Sequence, residues 1–137
     1  MGDEHPITVS SDVISEQDLV PFSYYVNQLY EEDAFLRSLI ESLETYGEPT
    51  VLILYGDHLP SISAAEEYMA QGDLLQTEYV IWDNIGLEKQ DRDLEAYQLS
   101  ASILKKLGIR NGFLNSYHQS FEENPRYQEY LEMLEYD

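Results

Sequence analysis

No cysteine occurs in this 137-residue chain. That excludes disulfide frameworks, zinc ribbons and thioredoxin-like dithiols together. Basic residues are scarce: 7 Lys and Arg against 27 Asp and Glu leave a formal net charge of −20. Nucleic acids and anionic lipid surfaces are bound through clustered Lys and Arg, so neither is an expected partner. No apolar run approaches the roughly 20 residues that a membrane-crossing helix needs. The opening Met1-Gly2-Asp3-Glu4-His5 also lacks the basic and apolar regions of a signal peptide. A glycine-rich phosphate loop, a serine nucleophile elbow and paired histidines at helical spacing are missing too. The chain thus reads as a soluble piece. Its acidic excess would draw divalent cations or basic partners, although a solvated acidic surface accounts for it equally well.

What is there suits a folded domain. Apolar residues make up 43% of the chain, enough for a packed core in spite of the charge. The length matches a single domain, and no repeat or linker divides residues 1–137. Residues 1–20 are polar and aperiodic and read as a loop or arm. From Phe22 to Thr45, Phe22, Tyr25, Val26, Leu29, Leu36, Leu39, Ile40 and Leu43 recur at helical spacing, which predicts an amphipathic helix starting near Pro21 and ended by Gly47 and Pro49.

Thr50-Val-Leu-Ile-Leu-Tyr55 is a continuous apolar run, the signature of a strand covered on both faces. Ser63 with Glu66 predicts a capping box for a helix over Ala64–Gln71. Gln76–Trp82 is the second strand candidate, stopped by Asp83 and Asn84. Helices are predicted over 94–107, 115–122 and 126–134. Helices and strands in alternation give the α/β class. Two strands are too few for a stable parallel sheet, so the chain reads as the C-terminal part of a sheet flanked by helices, with further strands upstream.

The sharpest chemical feature is Gly56-Asp57-His58 directly after the first strand. Ligands bind at the carboxyl ends of strands in open α/β sheets. A carboxylate beside an imidazole suits Zn or Mn, and Mg less well. Taken alone the pair is a weak motif, because Asp57 could cap a turn and His58 could be an ordinary surface residue. Trp82 reads as core or sheet edge, and His118 as part of a solvated helix face.

Tyr55-Gly-Asp-His-Leu-Pro60 resembles the (F/Y)-G-D-H signature of the lipoteichoic acid synthase and phosphoglycerol transferase branch of the sulfatase and alkaline-phosphatase superfamily. The likeness extends to the long helix carrying Tyr25 and Asp33. It includes Glu78-Tyr-Val-Ile-Trp-Asp-Asn84, similar to a P-F-I-I-W-D-N strand, and Tyr97 to Gly108. It reaches Tyr130–Asp137, so it covers about residues 5–137 in the family's order.

This resemblance implies that Asp57 and His58 are ligands of a catalytic divalent metal, Mn in that branch with Mg or Zn as alternatives. It also implies that His5 contacts the substrate phosphate, although His5-Pro6-Ile7 differs in spacing from the family's H-x-P-(Y/F). A tail residue is the plain alternative for His5. The family's threonine nucleophile and its further acidic ligand have no counterpart. Thr8, Thr45, Thr50 and Thr77 stand in the wrong context and chain order.

The parent implied is anchored by upstream membrane helices, with its catalytic domain on the extracellular face of a bacterial membrane. Its partners would be a glycerophospholipid headgroup and a glycan or polymer acceptor, and the upstream part of the same domain would complete the site. A chain holding two ligands and no nucleophile is expected to be inactive alone. A sulfatase or phosphoethanolamine transferase piece is the neighbouring alternative. From a different class, a free-standing acidic binding domain would also fit, repairing its sheet edges by self-association.

Overall fold

A computed structural model describes residues 6–60, 62 and 75–135. The helix expected over Ala64–Gln71, with its cap at Ser63, lies outside the described residues. The chain divides into two compact units, Met1–Gly86 and Leu87–Asp137.

In the first unit the long helix α1 runs over Glu16–Tyr46. It therefore begins five residues before Pro21. Ser15 decides the start: its hydroxyl accepts the Asp18 backbone N–H at 3.2 Å and donates to the Asp18 carboxylate at 2.7 Å. That satisfies one of the four orphan donors of the first turn. Glu16 and Asp18 also place negative charge at the positive end of the helix dipole. Pro21 lies inside the helix, where it leaves the Gln17 carbonyl without its helical partner.

The helix stops where the sequence predicts. Gly47 takes a left-handed backbone at φ 73°, and its N–H returns to the Leu43 carbonyl at 3.3 Å. The half-buried stripe contains Phe22, Tyr25, Val26, Leu36, Leu39, Ile40 and Leu43, so the 3.6-residue period identifies the inner face correctly. Leu29 falls outside it and is exposed. The one buried side chain of α1 is polar: Asn27 accepts the Ile7 N–H at 3.1 Å and donates to the carbonyls of Ile7 and Ser23 at 2.9 and 2.7 Å. Three hydrogen bonds offset its desolvation and hold the incoming arm.

Strands β1 (Val51–Tyr55) and β2 (Tyr79–Asp83) pair antiparallel as a two-stranded sheet. The register sets Val51 opposite Asp83, Ile53 opposite Ile81 and Tyr55 opposite Tyr79 on one face. Leu52–Trp82 and Leu54–Val80 stand on the other. Both faces are thus largely apolar. Yet Val51 to Leu54 are half-buried and Tyr55 is exposed, so the double covering expected for β1 is not present among the described residues. Asn84 closes the far end of the ladder. Its side chain accepts the Thr50 N–H at 2.8 Å and donates to the Glu48 carbonyl at 2.9 Å.

The second unit is helical. A 3-10 turn, Ala96–Gln98, leads into α2 (Leu99–Lys106), followed by α3 (Phe113–Phe121) and α4 (Tyr127–Glu135). The predicted helices match to within two residues except at the start of the first, which opens as the 3-10 turn. Ala101 and Ile103 of α2 are buried, together with His118 and Gln119 of α3 and Tyr127 of α4. Gln119 ties α3 to α2 by donating to the carbonyls of Ala101 and Ile109 at 3.1 and 3.0 Å.

His118 corrects the expectation of a solvated face. It is 7% exposed, packed among the rings of Tyr97, Tyr117 and Tyr127 at centroid distances of 5.7, 5.7 and 5.9 Å. Its Nδ1 meets the Tyr127 hydroxyl at 2.6 Å. Aromatic residues from three helical segments converge here, so the ring is enclosed although its own helix is short. With the first unit's antiparallel strand pair, these helices place the chain in the mixed α/β class.

Candidate functional site

Asp57 and His58 follow β1 directly, at the end where the ladder stops. Gly56 is its last rung: its N–H donates to the Glu78 carbonyl at 3.1 Å, and its own carbonyl accepts the Thr77 hydroxyl at 2.8 Å. A Cβ at position 56 would stand 3.2 Å from the Thr77 Cβ. A larger residue here would crowd the Thr77 side chain, which fits a glycine at a close approach. Beyond it the chain turns out of the strand, and the Asp57 and His58 side chains are 80% and 74% exposed.

Their arrangement is nevertheless ordered. The His58 Nδ1 lies 2.8 Å from the Leu59 carbonyl. A carbonyl oxygen can only accept, so Nδ1 carries the hydrogen, and in the neutral ring Nε2 holds the free lone pair. That is the tautomer a metal-binding imidazole needs, and a backbone carbonyl on the other nitrogen is the usual way to set it. Nε2 faces the Asp57 carboxylate at 3.7 Å. This separation exceeds a good hydrogen bond, and the two side chains would offer a divalent ion one carboxylate and one imidazole lone pair.

The pair supplies two donors of the right kind. Among the described residues no three His, Asp or Glu side chains come together to hold an ion. The corner therefore fits part of a ligand set, which needs at least one more protein ligand. His5, assigned to the substrate phosphate by resemblance, lies outside the described residues. His118 is committed to its aromatic enclosure. No described helix is long and apolar enough to cross a membrane.

Sequence reading singles out Asp57 and His58 as candidates and gives no sign of the Thr77 contact to Gly56. Its hydroxyl reaches Gly56 across a separation of 21 residues, and only the antiparallel register brings them together. A threonine at the start of a strand carries no local sign of that contact. The available hint is Gly56 itself, since a glycine at a strand end asks what approaches it closely.

The family model described as Sulfatase matches residues 5–109. No curated protein and no solved structure matches the chain. The family match spans α1, both strands, the Gly56-Asp57-His58 corner and α2. It covers well over half of the sequence, and on it this chain belongs to the sulfatase family, within the alkaline-phosphatase superfamily.

Proposed function

We propose that this chain is the metal-ligand-bearing C-terminal part of a phosphoglycerol transferase of the lipoteichoic acid synthase kind. One observation carries the reading: an exposed Asp57–His58 pair at a strand end, with Nδ1 of His58 occupied by the Leu59 carbonyl and Nε2 facing the carboxylate. Asp57 and His58 would hold the divalent metal, Mn in the first instance. The remaining ligands and a threonine nucleophile would come from the upstream part of the same catalytic domain. Such an ion, once bound, polarises a phosphoryl group and favours the ionised nucleophile.

In this chain Asp57 contributes charge, and His58 contributes a lone pair whose direction is set by the Leu59 carbonyl. His5 would contact the substrate phosphate. The parent would move glycerophosphate from a phosphatidylglycerol headgroup to a glycan or polymer acceptor outside the bacterial membrane. A two-stranded sheet with apolar side chains on both faces is in keeping with a larger sheet completed by upstream residues. With His5, His58 and His118 its only histidines, the chain fits this branch better than the sulfatases and phosphoethanolamine transferases, which resemble it at the Gly-Asp-His corner but add histidine ligands for a second metal or change the set. Enclosed by tyrosines and bonded at Nδ1, His118 is a structural residue.

The test uses the parent protein in phosphatidylglycerol vesicles with Mn2+, reading release of diacylglycerol. Asp57→Asn and His58→Gln should each lower turnover by about a thousandfold or more, the scale of losing several kcal/mol of charge stabilisation. Turnover within a few fold of wild type in both variants would remove the metal assignment. Robust turnover of a sulfate ester with none of the lipid would move the protein to the sulfatase alternative.

A further inference from the structure

We infer that Thr77 is a positioning residue for the Asp57–His58 corner, acting from the opposite strand through the Gly56 carbonyl. The inference rests on the proposal that the corner holds a metal, but its structural half can be tested without one.

The two side chains are mostly in solvent, so packing does little to aim them. Their order comes from the backbone. The peptide unit joining Gly56 to Asp57 is planar, with its carbonyl oxygen and its N–H fixed on opposite sides. Holding the Gly56 oxygen therefore fixes the plane from which Asp57 departs. The Thr77 hydroxyl holds that oxygen at 2.8 Å.

The rest of the contact makes this a clamp. The Gly56 N–H is held by the Glu78 carbonyl at 3.1 Å, so both polar groups of Gly56 are tied to consecutive residues of the partner segment. Thr77 is β-branched and restricted at χ1, and its Cβ and Cγ2 would lie 3.2 and 3.5 Å from a Cβ at position 56. Thr77 thus holds the glycine's carbonyl by a hydrogen bond and crowds any larger residue at position 56. Downstream, the Leu59 carbonyl sets the His58 tautomer. The corner is consequently restrained immediately before Asp57 and immediately after His58, and Thr77 supplies the first restraint.

Amide hydrogen exchange and Mn2+ titration of the 15N-labelled full chain test this, with paramagnetic broadening of the His58 ring Hε1 reporting the ion at weak affinity. Thr77→Val keeps the shape and removes the hydroxyl. It should raise exchange at the Gly56 amide, held on the Glu78 carbonyl, by roughly tenfold, the scale of one lost hydrogen bond. It should also raise the Mn2+ concentration for half-broadening by about 10- to 100-fold, as losing a supporting contact behind a ligand does. Thr77→Ser should restore both.

If exchange instead rises evenly along Val51–Tyr55 and Tyr79–Asp83, or Gly56 is unmoved, Thr77 merely supports the sheet and the positioning role is overturned. Asp57→Asn separates the two levels. Broadening that survives in Asp57→Asn removes the metal reading, while the Gly56 amide still decides the role of Thr77.

Discussion

His58 and His118 share a ring and little else. His58 stands at a strand end in solvent, its Nδ1 tied to a carbonyl and its Nε2 turned toward a carboxylate. His118 lies enclosed among three tyrosine rings, with its Nδ1 on the Tyr127 hydroxyl. The first has a lone pair to offer and little packing to lose. The second has packing to lose and nothing to offer a ligand. Burial, more than residue type, separates these two histidines.

Truncation gives the largest expected effect on this contrast. His118→Ala should destabilise the Leu87–Asp137 unit by about 3 kcal/mol, combining a cavity with an unpartnered Tyr127 hydroxyl. His58→Ala should cost less than about 0.5 kcal/mol, the usual range for an exposed site. Urea unfolding followed by resonances of residues 99–134 for the first variant, and of the strands for the second, reads both. Equal losses would erase the distinction.

A smaller effect, because it leaves packing in place, comes from pH. Burial holds the His118 ring below the ordinary histidine value of 6.5. Around it are Tyr97 from the 3-10 turn, Tyr117 from its own helix and Tyr127 from α4, with the Arg92–Glu122–Lys105 cluster beginning one turn further along. Glu122 is also held low, below the ordinary 4.5. Burial, its largest single influence, pushes the other way, but hydrogen bonds and charge from Lys105 and Arg92 together outweigh it.

Both groups release protons more readily folded than unfolded. Between each depressed value and the ordinary one the unfolded chain binds more protons, so stability rises with pH there. Stability contributed by these groups is therefore complete above about pH 6.5. On acidification it should fall first through His118 and then, below about pH 4.5, through Glu122. Thermal melts from pH 7.5 to 4 should show both stages in wild type and only the second in His118→Gln. A wild-type midpoint independent of pH between 7 and 5 would mean that the ring already reaches water.

The smallest expected effect sharpens the picture of the first unit. Ser15→Ala should cost about 1 kcal/mol, the worth of an N-cap, and should raise amide exchange in the first turn of α1 alone. Exchange unchanged at Asp18 would transfer the start of the helix to another group.

The same contrast explains how far the sequence could be read. β1 and the corner were legible because their signals are local: an apolar run, then Gly56-Asp57-His58. The inner stripe of α1 was legible from its period, whereas its start was misplaced because Pro21 outweighed Ser15-Glu16-Gln17-Asp18, a capping pattern already present. The antiparallel direction of β2 could not be read, since an apolar strand carries no sign of its partner's orientation. Thr77 and His118 escaped for a shared reason. Their environments are assembled from residues 21 and 9–21 positions away, and no periodicity marks such meetings.

The two ends of the strand pair are closed separately, by Asn84 on Thr50 and Glu48 and by Thr77 on Gly56. The chain leaves the ladder at Gly56 and rejoins it at Thr77 and Glu78, so the spacing of these two points is fixed by the ladder itself. Closing a flexible loop becomes only about 0.6 kcal/mol costlier for each doubling of its length. Insertions and deletions between Pro60 and Gln76 can thus accumulate in related chains while the direction of Asp57 stays the same. A change of length there leaves both closed ends of the strand pair where they are.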